Sequence, residues 1–156
     1  MIQNIINYLE ADSTLVGLLG ATAPDSKIYP LQAPHDLTRP YILFNISGQG
    51  SYEENIKENQ IVFDCIADTY LEAKPINDRI DYLLNRQDGI RRALTITDYI
   101  YYWAKKTGGA DFVDNEMGDF HRVSIIDFKY AASGFEYLLT EDGEWVRTED
   151  GERIIL

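Results

Sequence analysis

Sulfur and positive charge are both scarce in this sequence. It has one cysteine, Cys65, so no intramolecular disulfide can form and no second thiolate exists to build a sulfur-rich metal cluster. A reducing compartment is the natural place of synthesis. The 14 Lys and Arg are outnumbered by 26 Asp and Glu, for a net charge of −12. Phosphate neutralisation needs clustered cations, so a general DNA-binding surface is excluded and contact with nucleic acid should be repulsive. No run approaches the roughly 20 apolar residues that cross a bilayer. The first residues, MIQNIINYLEADS, have neither a basic segment nor a small-residue cleavage site, so neither export nor membrane insertion is expected. Only two histidines are present, His35 and His121, and they are not spaced as metal ligands.

What is there fits one folded domain. The 156 residues are 45% hydrophobic and 26% charged, ordinary globular usage that leaves little room for two independent cores. Ile2, Ile5, Ile6 and Leu9 recur at helical spacing, and Asp12 or Ser13 can cap a second turn carrying Leu15, Val16, Leu18 and Leu19. A broken amphipathic helix ending at Gly20 is predicted. Pro24, Pro30, Pro34 and Pro40 then make an extended connector, with an edge strand over residues 28–31.

YILFNIS at 41–47 and QIVFDCIAD at 60–68 read as strands, the second placing Ile61, Phe63, Cys65 and Ala67 on one face. The polar stretch between them, 48–59, is expected to be a projecting arm or loop. A main helix is predicted over 70–86, with Leu71, Ile76, Ile80, Leu83 and Leu84 as its stripe and Pro75 in its first turn or at a break. Residues 95–104 should form a third strand with Tyr99, Tyr101 and Trp103 on one side. Residues 120–130 should form a fourth, alternating Ser124, Ile126, Phe128 and Tyr130. The polar, glycine-bearing segment 105–119 is expected to be the flexible tip of that hairpin. At the end, TEDGE occurs twice, at 140–144 and 148–152, followed by RIIL, and its Asp-Gly pairs signal turns of a short meander.

The fold class expected is α+β, an antiparallel sheet of about four main strands with helices packed on it. The domain proper spans 1–133 and the C-terminal β-repeat extension 134–156. Catalysis needs tuned groups gathered around a cavity, and few candidates exist. Asp64 and Asp68 point away from the apolar face of their strand, Asp127 lies in the last strand, and His35, His121 and Cys65 have no partner at a diagnostic spacing. Structural or surface roles are expected for all six. TEDGE lacks the ligand ladder of an EF-hand, and the GQG at 48–50 is followed by no Gly-Lys-Ser/Thr, so neither calcium nor nucleotide has support. No cofactor, metal or catalytic residue is expected. The 11 tyrosines, 6 phenylalanines and 2 tryptophans point instead to protein interfaces, beside their share in the core.

KIYPL at 27–31, RPYILF at 39–44, IVFDCIADTYLEA at 61–73 and DNEMGDFHRVSIIDF at 114–128 follow an N-terminal helix in an order that resembles the tail terminator, or tail completion, proteins of long-tailed bacteriophages. The resemblance covers residues 1–132 and leaves the TEDGE repeat outside. It implies a six-membered ring that caps the tail tube, stops its polymerisation and meets the head connector. Its partners would be the tail tube protein and a head-connector or neck protein, in a virion assembled in the host bacterial cytoplasm. DNA would pass through the lumen without specific binding, and an acidic wall would repel it. The lumen and interface candidates are Tyr52, Glu53, Glu54, Lys57 and Glu58 on the arm, and Asp111, Asp114, Glu116 and Asp119 on the tip. Trp145, Ile154, Ile155 and Leu156 in the extension complete them. The rivals are another ring component of the head-tail junction, a tube-like subunit and, more distantly, a small hydrolase using Asp64, Asp68 or His121.

Overall fold

The computed structural model describes residues 2–22, 25–51, 57–85, 94–96 and 99–132. Two short helices open the chain, α1 (Ile2–Glu10) and α2 (Ser13–Leu18). Asp12 separates them as the N-cap of α2, its carboxylate accepting the Leu15 N–H at 2.8 Å. Gly20 ends the pair with φ +56, a conformation that glycine adopts without a Cβ penalty. The broken helix is thus present as the periodicity predicted.

Strand β1 (Ile28–Pro30) is bracketed by Lys27 and Leu31, both at positive φ, and runs parallel to β2 (Tyr41–Ser51). β2 pairs antiparallel with β3 (Lys57–Ala67), the long helix α3 (Tyr70–Leu84) follows, and β4 (Leu94–Ile96), β5 (Tyr99–Asp114) and β6 (Asp119–Ala132) complete the sheet. Its order is β1-β2-β3-β6-β5-β4, and every pairing except β1 with β2 is antiparallel. The fold is therefore α+β, with four long strands and two short edge strands among the described residues.

Ile61, Phe63, Cys65 and Ala67 of β3 are all buried, as are Ser124, Ile126, Phe128 and Tyr130 of β6. The period-2 reading of both strands holds. Against this face lie Ile5, Ile6 and Leu9 of α1, Leu15 of α2, and Ile76, Ile80, Leu83 and Leu84 of α3. The helices cover one face of the sheet, and among the described residues none covers the other.

Five expectations need correction. The arm at 48–59 is mostly strand: Gln49, Gly50 and Ser51 pair with Asn59, Glu58 and Lys57, because backbone pairing extends a hairpin through residues with no apolar alternation of their own. The tip at 105–119 is strand as far as Asp114, in register with β6 down to Asp119, which leaves only the turn at 115–118. The strand predicted at 95–104 is two strands, β4 and β5, paired antiparallel. A register shift in the pairing of β5 with β6 falls between Tyr101 and Trp103. Leu71 is 81% exposed, since five residues at 100° each set it well away from Ile76 around the helix. Pro75 sits beyond the first turn, and α3 continues through it despite the missing N–H. The meander expected at 134–156 lies outside the described residues.

Candidate functional site

Two polar networks stand on opposite sides of the sheet. Under α3, the Asn77 Nδ2 donates to Ser124 Oγ at 2.8 Å, and Ser124 in turn donates to Asp81 Oδ1 at 2.9 Å. Lys106 Nζ pairs with Asp81 Oδ2 at 2.6 Å. This chain ties the helix to β6 and β5 through groups that burial would otherwise leave unsatisfied. Cys65 is fully buried beside Asn77, and burial pushes its thiol well above the ordinary range, so it stays a protonated, inert core residue. The signal for Asn77 was present in the sequence, at helical spacing from Ala73 and Ile80 on the buried stripe.

The uncovered face is patterned across the strands. Ser47 donates to Gln60 at 2.7 Å, Gln60 donates to Asp127 at 2.7 Å, and Lys129 pairs with Glu58 at 2.9 Å. Next comes a half-buried apolar belt, Leu43, Val62, Val123 and Ile125. Beyond it the His121 Nδ1 lies 2.9 Å from Asp64 Oδ2, and the Phe112 ring stacks on the imidazole at 4.5 Å. Burial raises the Asp64 pKa, and hydrogen bonding and charge from His121 oppose that rise.

Of the three hydrolase candidates, Asp64 and His121 come together and Asp68 does not. Asp68 is exposed and pairs with Arg39 at 2.8 Å. Among the described residues no hydroxyl or thiol donates to His121. No group of three or more His, Cys, Asp or Glu that could hold a metal ion occurs among them either. Gly48 and Gly50 lie within β2, in extended strand backbone.

The acidic candidates differ in what they present. Lys57 is exposed and Glu58 is half-buried in its ion pair. Asp111 is exposed and binds Arg122 at 2.7 Å. Asp114 closes the β5–β6 turn by accepting the Glu116 N–H at 2.9 Å, and Glu116 itself is exposed. Asp119 is buried, only 5% exposed, and forms an ion pair with Arg39, so it offers no free charge to a lumen. Arg39 clamps the proline-rich connector to the sheet through Asp68 and Asp119, partners too distant in sequence for any local pattern to reveal. Tyr52, Glu53, Glu54, Trp145, Ile154, Ile155 and Leu156 lie outside the described residues.

No helix among the described residues is long and apolar enough to cross a membrane. No protein-family model matches the chain, and no curated protein matches it by sequence. In structure it is similar to a chain from the virion of a native gene transfer agent particle, with a TM-score of 0.61 at 14% identity. The match covers 81% of this chain and 91% of that one. A likeness at that identity establishes a shared fold.

Proposed function

We propose that this chain is a structural component of a phage-like virion, and that it forms the ring that caps the tail tube, stops its polymerisation and joins the tail to the head-proximal neck. The observation that carries the reading is the shared fold, which spans nearly the whole length of a chain from a gene transfer agent virion. The order of the motifs at 27–31, 39–44, 61–73 and 114–128 supports the terminator assignment within that class. The carboxylates of the described face make ion pairs, turns and a hydrogen bond, Asp111 with Arg122, Glu58 with Lys129, Asp114 with the Glu116 N–H and Asp127 with Gln60.

On this reading the protein works by shape and charge in the tail-neck region of a virion. Copies of itself form the ring, and the tail tube and the head connector form its two faces. A net charge of −12 per subunit, repeated around a ring, keeps passing DNA from adhering. The domain boundary near 133 separates the ring-forming body from an extension used in contacts.

Purified chain added to polymerising tail tube subunits decides between the readings. A terminator shortens the tubes in proportion to its concentration, and electron microscopy finds a ring at one tube end only. Incorporation along the tube would assign a tube-like subunit, and unchanged tube lengths would end the terminator reading.

A further inference from the structure

The sheet ends differently on its two sides. On one side β1 is three residues long and closes with Pro30, which has no N–H to offer. The part of β2 beyond it is interrupted by the register shift between Ile46 and Gln49. Short strands, proline and bulges are devices that keep an edge from pairing with strangers. On the other side β4 covers β5 only from Tyr99 to Tyr101. β5 has register shifts of its own, between Tyr101 and Trp103 and between Lys106 and Gly108, but beyond them, among the described residues, the run Gly108 to Asp114 pairs in unbroken register with β6 alone, and alternate residues turn their N–H and C=O groups outward. This run has no proline and no lysine. It also exposes apolar side chains at consecutive positions, Phe112 at 48% and Val113 at 50%, and consecutive strand residues face opposite sides of the sheet.

The geometry points to this run of β5 as the acceptor of an added strand, supplied by Arg153 to Leu156 of a second copy of the chain. The inference rests on the ring reading and names the contact that would build the ring. An edge that is apolar on both faces is covered only by a strand that is apolar at consecutive positions, which Ile154, Ile155 and Leu156 provide. Antiparallel addition with Ile154 opposite Val113 and Ile155 opposite Phe112 brings Arg153 beside Asp114, a complementary pair. β6 ends at Ala132, opposite Tyr99, and the far end of β5 at Asp114 is about 50 Å away at ~3.3 Å per residue, so the chain's own last residues would have to run back along the length of β5 to reach it. Edge to tail is a heterologous contact, the kind that closes identical subunits into a ring.

The test uses the full chain with Val113→Cys and Ile154→Cys together, native Cys65 being buried, under air oxidation with each single substitution as control. The expected result is a ladder of disulfide-linked multimers on denaturing gels, absent from the single substitutions. A linked monomer that migrates faster would assign the edge to the chain's own end and overturn the proposal. Rings visible by electron microscopy without any linkage would overturn it while leaving the ring reading intact. A ladder without arrest of tube growth would keep the contact and remove the terminator role. A Val113→Lys variant, half-exposed and therefore compatible with the fold, should lower the assembled fraction in sedimentation at least tenfold with an unchanged melting temperature. Undiminished assembly of that variant would also overturn the proposal.

Discussion

At Gly109 a Cβ would fall 2.5 Å from the Val123 carbonyl oxygen, so β6 can pass β5 at that level only because no side chain intervenes. Gly109→Ala forces the backbones apart and should cost roughly 1–3 kcal/mol, read as a lower urea midpoint. Gly17 is the contrasting case, exposed in α2 with open space around its Cβ position. Gly17→Ala should stabilise by about 0.5–1 kcal/mol through helix propensity and a less flexible unfolded chain. Asp64 makes a residue-scale prediction in pH. Its pKa is raised by burial, so the folded state holds its proton more tightly than the unfolded state does. The stability this contributes is complete below the ordinary carboxylate range and is lost as pH rises through the raised value. Asp64→Asn should therefore flatten the decline of stability over that window, and urea midpoints measured at intervals above pH 4 check it. An identical slope in the variant would mean that the His121 pairing fully offsets the burial.

Between elements, Asp12 does two jobs with one carboxylate. It caps α2, and it accepts from Arg79 of α3 at 3.0 and 2.6 Å, binding the N-terminal helices to the long helix. The bond from Arg79 lowers the Asp12 pKa, the opposite sign to Asp64. Its contribution is present above the ordinary carboxylate range and is lost as pH falls through the lowered value. Asp12→Ala should cost about 1 kcal/mol from the cap alone. The deficit should shrink in acid, which thermal melts at pH 7 and pH 3 would register. The cap was legible in the sequence because a capping residue and its helix are neighbours. Its partner Arg79 was not, because 67 residues separate the two. The same distinction explains the strands. Alternation in β3 and β6 announces a half-buried strand directly, whereas the polar ends of β2, β3 and β5 are strand only because another strand lies beside them.

For the whole molecule, charge and assembly supply the prediction. With −12 per chain and no described cationic cluster, the protein should leave duplex DNA unretarded in gels even at low salt, where any phosphate-binding surface would be strongest. Retardation that vanishes on adding salt would contradict an inert acidic lumen. Composition, net charge, the α+β class and the buried faces of β3 and β6 were determined by the sequence itself, since each follows from local periodicity or from simple counting. The tertiary structure alone decided that Asp119 is buried in an ion pair with Arg39, that Asp64 meets His121, and that β5 continues to Asp114, pairing there with β6 alone among the described residues. Those facts depend on which distant segments become neighbours. Long-range pairing is set by the packing of the entire chain, and no local pattern of residues records it.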